Sequence, residues 1–121
     1  MSMDSLWLAE QAAEACSDRK ARDIQLINVE KVSSLAEWIL VTEGLSDVQV
    51  RAIIKSVEDR LAESANRFPL RKEGVNKAKW ALLDYGELII NVFQPNERTF
   101  YDLEGFWSNG EKHKFNSSND L

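Results

Sequence analysis

Residues 35–61 read LAEWILVTEGLSDVQVRAIIKSVEDRL, and their hydrophobic period changes halfway along. Over residues 35–42 the apolar side chains run together, with Trp38, Ile39, Leu40 and Val41 in succession, as a short buried strand requires. Gly44 breaks that run, and Ser46-Asp47-Val48-Gln49 follows with the spacing of a capping box, in which Ser46 and Gln49 each satisfy an amide left free at a helix start. Val50, Ile53, Ile54, Val57 and Leu61 then recur at helical spacing, opposed by Arg51, Lys55, Glu58, Asp59 and Glu63. A buried strand feeding an amphipathic helix predicts a helix packed on a sheet. That reading decides for an α/β (α+β) fold built on a mixed β-sheet.

Working outward, Asp4 or Ser5 can cap a helix over residues 6–20, with Leu6, Ala9, Ala13 and Cys16 on its buried side. Residues 23–29 alternate as a strand with burial on both faces. Downstream of the central helix, Phe68-Pro69-Leu70 cannot continue a helix and predicts a short edge strand. Residues 79–85 and 88–93 are two apolar runs separated by Gly86-Glu87, with Gly86 free to take the positive φ of a tight hairpin turn. A second turn is expected at residues 95–98, followed by residues 99–103 and an aromatic segment ending at Trp107. One domain is expected over residues 1–107, and a polar, disordered tail over residues 108–121.

Composition bounds the function classes. Hydrophobic residues make up 44% and charged residues 29% of the 121, a globular balance rather than that of a disordered chain. No apolar run approaches the roughly 20 residues that span a bilayer, and the N-terminus does not read as a leader, so a cytoplasmic location without a membrane partner is expected. The single cysteine, Cys16, cannot form an internal disulfide and reads as a small core residue. A formal charge of −5 argues against a protein whose main task is neutralising phosphates, so direct nucleic-acid binding is not the expected main contact. A basic protein partner fits better.

The residues that could carry chemistry do not assemble into a recognisable site. The only histidine, His113, lies in the expected tail between Lys112 and Lys114. The five glycines form neither common nucleotide-cradling loop. Gly44-Leu45-Ser46 at a helix start could present amides to a phosphate, yet no Asp-x-Asp or Asp-x-Glu pair follows to clamp cations, and Glu58 and Asp59 point different ways on one helix. No catalytic residue, metal or cofactor is therefore expected.

The stretch from Trp80 to Phe93, WALLDYGELIINVF, resembles the signature hairpin of the Iojap/RsfS ribosomal silencing factors, and residues 100–107, FYDLEGFW, are similar to that family's closing Phe-Tyr-Asp-Leu-Glu-x-x-Trp segment. Ala21-Arg22-Asp23-Ile24, Ser33-Ser34-Leu35-Ala36, Ser46-Asp47-Val48-Gln49-Val50 and Pro69-Leu70-Arg71 complete a series that covers roughly residues 6–107. Glu43-Gly44-Leu45-Ser46 stands where Ser-Gly-Thr-Ser is more usual, and Glu73-Gly74-Val75-Asn76 varies around a family Glu-Gly.

The resemblance implies a nucleotidyltransferase-like topology without the catalytic carboxylates, and no enzyme activity. It implies binding to ribosomal protein fourteen of the large subunit, blocking the two ribosomal subunits from associating and repressing translation, with a homodimer as a further possibility. The family's partner-binding positions carry onto Trp80, Leu83, Asp84 and Tyr85. Set against this, Trp80 and Leu82 could face the core and Asp84 could cap the turn before Gly86, while Tyr101, Glu104 and Trp107 could join the docking face but read rather as a staple of the chain end. Two other readings stay open: a diverged nucleotidyl-transfer enzyme using Ser46, Asp84 and Glu87, and a ribosomal-RNA-binding module using Arg67, Arg71, Lys72, Lys77 and Lys79.

Overall fold

The structure, a computed structural model, describes residues 2–115. Helix α1 (Ser2–Asp18) leads into strands β1 (Arg22–Asn28) and β2 (Trp38–Glu43), then helix α2 (Asp47–Ala65), strands β3 (Arg71–Glu73), β4 (Trp80–Asp84) and β5 (Leu88–Phe93), short helices α3 (Pro95–Tyr101) and α4 (Leu103–Phe106), and strand β6 (Glu111–Lys114). The six strands form one sheet in the order β3-β4-β5-β2-β1-β6. The β2–β5 pair is parallel and the other pairs are antiparallel, so the sheet is mixed, as the strand-to-helix junction predicts.

Helices α1 and α2 cover one face. Val50, Ile53, Ile54, Val57 and Leu61 of α2 and Leu8, Ala9, Ala12, Ala13, Ala15 and Cys16 of α1 pack on Ile24, Leu26, Leu40, Leu83, Leu88 and Ile90. The buried side of α1 is wider than a single stripe because it meets both α2 and the sheet, while Leu6, expected inside, is exposed. The helix also begins at Ser2, so Asp4 and Ser5 lie within it rather than capping it. Burial pushes the Cys16 thiol up to about 12, with the nearby Asp18 charge adding to the shift, and so the thiol is an inert core group.

The central junction forms largely as its sequence predicts. Ser46 is the N-cap of α2 and its hydroxyl accepts from the Gln49 amide at 3.1 Å. The reciprocal bond differs: Gln49 Oε1 accepts from the Leu45 amide at 2.7 Å, one residue earlier than a capping box places it, and its Nε2 donates to the Arg19 and Lys20 carbonyls. Gln49 thereby ties the end of α1 to the start of α2. The β4–β5 hairpin closes through Tyr85 N–H to the Leu88 carbonyl at 2.9 Å, with Gly86 at φ +94°. The edge strand lies one residue beyond the expected segment, at β3.

Two expectations fail at the C-terminal end. The segment after Pro95 is helical: the proline occupies the first turn of α3, where a missing N–H costs nothing, and Asp102 at φ +46° ends α3 while its carboxylate accepts from the Gly105 amide to start α4. Nor is the region from Ser108 a disordered tail as far as it is described. Glu111–Lys114 pairs antiparallel with β1 from Asn28↔Glu111 to Gln25↔Lys114 and covers that sheet edge, while residues 116–121 lie outside the described part. Unpaired backbone groups of β1 drive this pairing, and the charged side chains of β6 stand in solvent.

Candidate docking face

Side chains alternate across a strand, so the register of β4 and β5 sorts every residue of the hairpin to one face. Ala81, Leu83 and Tyr85 point to the helices, as do Leu88, Ile90 and Val92. Trp80, Leu82 and Asp84 point the other way, with Ile89, Asn91 and Phe93 beside them. On this second face α3, α4 and the loop after β1 cover Ile27, Val29, Ile39, Val41 and Phe93, packing Leu103 and Trp107 onto the sheet. The β4–β5 part is left partly open at Trp80, Leu82, Asp84 and Ile89.

Trp80 is the centre of this open area. Its ring lies 4.8 Å from Phe93, nearly parallel at 28°, and 4.7 Å from Tyr101 of α3. Its indole N–H donates to Asn91 Oδ1 at 3.0 Å. Tyr101 is 50% exposed, and Phe100, 80% exposed, meets its ring edge-on at 5.0 Å. Aromatic and aliphatic surface thus continues from Ile89 and Leu82 through Trp80 to α3. Charge borders it on one side. Asp84 Oδ1 accepts from the Gly86 amide at 2.8 Å, the turn cap weighed from sequence, and its Oδ2 lies 3.5 Å from Arg71, which also pairs with Glu73 at 2.6 Å.

The four residues assigned to partner contact are therefore split by the pleat. Trp80 and Asp84 stand on the open face, whereas Leu83 and Tyr85 are buried under α1 and α2 and cannot touch a partner of the folded chain. The resemblance picks out Leu83, Asp84 and Tyr85 in succession, and the physical period of two leaves only Asp84 of these three on the open face. Leu82 and Ile89, which that reading did not name, share the open face with Trp80, as does Tyr101, which it weighed for the docking face and set aside as a staple. The alternation Trp80-Leu82-Asp84 was the available signal for Leu82. Of the expected staple, Glu104 and Trp107 act as such, and Tyr101 both packs on Trp80 and remains half in solvent.

Arg98 holds α3 and α4 in place. It is 7% exposed, and its guanidinium lies 2.8 Å from Glu104, 3.3 Å from Glu43 and 3.4 Å from Asp23. Burial works against its charge, but the Glu104 hydrogen bonds and the charges of Glu104, Asp23 and Glu43 prevail and raise its pKa. At the far end of the hairpin Arg67 grips Glu87 through both carboxylate oxygens, at 2.7 and 2.9 Å, and the Tyr85 carbonyl at 2.7 Å. That Arg67 hydrogen bond holds the Glu87 carboxyl below the usual carboxylate range, against the opposing effect of partial burial. A depressed carboxylate stabilises the fold fully above its unfolded pKa of about 4.3, and the contribution fades as pH falls through the lower folded value. Denaturant unfolding between pH 7 and 3 is expected to show an acid loss of stability below about pH 4.5 that is smaller in Glu87→Gln. Equal acid slopes in the two proteins would remove this role.

The alternative chemistries find their residues engaged elsewhere. Ser46 caps α2, Asp84 caps the hairpin turn, and Glu87 is bound by Arg67. Within the proposed basic cluster, Arg67, Arg71, Lys72 and Lys79 each pair with a carboxylate, respectively Glu87, Glu73, Glu58 and Asp47, which cancels most of its field. His113 sits on β6 with its ring 5.7 Å from Trp38 and 3.5 Å from Glu111. Among the described residues, no group of three or more His, Cys, Asp or Glu is placed to hold a metal ion, and no helix is long and apolar enough to cross a membrane.

Residues 2–120 match the family described as "Ribosomal silencing factor during starvation", RsfS. The chain is 39% identical over 97 residues to the ribosomal silencing factor RsfS of Bacillus subtilis, covering 79% of this chain and 80% of that one. It is 31% identical over 106 residues to the chloroplastic Iojap protein of Arabidopsis thaliana, covering 88% of this chain and 44% of that longer protein. A crystal structure of a Chromobacterium violaceum protein superposes with a TM-score of 0.82 at 32% identity, covering 93% of this chain and 92% of that one.

Proposed function

We propose, from the premise that this chain belongs to the RsfS family of ribosomal silencing factors, that its open β4–β5 face docks on ribosomal protein fourteen of the large subunit. A folded domain seated there stands in the way of the small subunit, so silencing is steric and needs no turnover. The observation that carries the docking site is the Trp80–Tyr101–Leu82–Ile89 surface, which is uncovered on a sheet whose opposite face is closed by two helices. Tryptophan and tyrosine bury large rigid surfaces at small entropic cost and dominate interface hot spots. A net charge of −5 favours a basic partner and speeds its approach. Leu83 and Tyr85 contribute from beneath by fixing the strand.

On this reading the protein works at ribosomes in the cytoplasm. A second copy of the chain would bury the same apolar face, so homodimer and ribosome complex are read as exclusive. The test is co-sedimentation with isolated large and small subunits, followed by a joining assay at saturating protein. Pelleting with large subunits alone and loss of joined ribosomes is the expected result. Unhindered joining at full occupancy would refute steric silencing.

A further inference from the structure

We propose that Asn91 is a positioning residue for docking: it never meets the partner but fixes the plane in which Trp80 is presented. This rests on the β4–β5 face being the docking surface. Asn91 lies in the middle of β5, opposite Leu82 on one side and Val41 on the other, and is 2% exposed. An amide in that apolar setting is costly unless both its ends are bonded. Here Oδ1 accepts the Trp80 indole N–H at 3.0 Å and Nδ2 donates to the Leu40 carbonyl at 3.3 Å. Only one orientation of the amide serves a donor on one side and an acceptor on the other, so the group is fixed and fixes the indole in turn.

The indole has three restraints: Phe93 along one face, Tyr101 against it from α3, and the bond to Asn91 at its polar edge. The two ring contacts tolerate sliding and rotation within their planes. The hydrogen bond does not, because its strength falls steeply with angle. Asn91 thus removes the freedom that the rings leave, and a partner meets an indole already set rather than one it must order on binding.

Asn91→Leu, with the same number and branching of side-chain heavy atoms but without an acceptor, is expected to weaken large-subunit binding roughly fivefold, the worth of one net hydrogen bond. In a Trp80→Phe background, where no indole N–H exists, the same change should have no further effect on affinity. With 5-fluorotryptophan incorporated, the fluorine resonance assigned to Trp80 should shift or broaden in Asn91→Leu while the resonances of Trp7 and Trp107 stay in place. Replacing Trp80 by 3-benzothienylalanine, which keeps the ring and lacks the N–H, provides the same test without altering Asn91, and should cost a similar factor. Equal losses from Asn91→Leu in both backgrounds, or no loss in either, would overturn the positioning role while leaving docking intact. Absence of wild-type binding to large subunits would instead overturn the docking reading, and this one with it.

Discussion

Leu82→Asp is expected to abolish measurable large-subunit binding with little change in folding stability, while Leu83→Ala, one residue away, is expected to do the reverse. Leu83 is fully buried among the side chains of the helix-covered core. Truncating it leaves a cavity that the close-packed surroundings fill only in part, and the loss is about 3 kcal/mol. The Leu83→Ala protein that remains folded still presents an unaltered outer face, so its affinity should stay within a factor of about two of wild type, below the tenfold that 1.4 kcal/mol represents. Leu82 is partly exposed beside Trp80 and Ile89. A carboxylate there would be driven into an apolar interface and would cost several kcal/mol of binding, more than a hundredfold, unless a cation met it. Denaturant unfolding and co-sedimentation with large subunits on the same two variants read both halves. Wild-type affinity in Leu82→Asp would mean that the open face is not the docking surface.

The second large effect is expected from Arg98→Met. The guanidinium is the meeting point of Asp23 on β1, Glu43 on β2 and Glu104 on α4, and it also donates to the Arg22 carbonyl. A methionine keeps most of the aliphatic packing but leaves Glu43 and Glu104 facing one another's field, with the exposed Arg22 3.5 Å from Glu43. Removing one partner from a buried ionic cluster typically costs about 3–5 kcal/mol, because the remaining charges stay desolvated. For a chain of this size that lowers the melting midpoint by about 10 °C or more. Glu104→Gln, which keeps a hydrogen-bonding oxygen, should lose less, and the double variant should lose less than the sum of the two singles, since the same interaction is removed twice. Strict additivity would show that Arg98 and Glu104 do not act as a unit. Because the cluster fastens α3, its loss should also loosen Tyr101 from Trp80.

Much of this molecule follows from local chemistry that a linear reading can reach. The stripe from Val50 to Leu61, the Ser46 cap, the Gly86 turn and the paired hydrophobic runs around it depend on residues within one element or one turn of each other. Their periods of 3.6 and 2 are properties of the backbone itself. Family membership was legible for a related reason: the segments that carry the resemblance are contiguous. The choice between Leu82 and Leu83 as the outward residue lay within reach too, since it needs only the parity of the strand and one fixed position.

Other features depend on partners far apart in the chain. Asp23, Glu43 and Glu104 come together on Arg98 from separations of up to 75 residues, and no pattern along the sequence marks them as one site. Asn91 reads as a misplaced polar residue in an apolar strand until Trp80, from the neighbouring strand, supplies its donor. Residues 111–114, Glu-Lys-His-Lys, carry no strand signal of their own and become β6 because β1 offers an unpaired edge. The segment after Pro95 turns into two short helices that lay Leu103 and Trp107 over the second face and set Tyr101 against Trp80. In each case the stabilising free energy resides in a contact between distant elements, and local propensity neither supplies it nor opposes it strongly enough to matter.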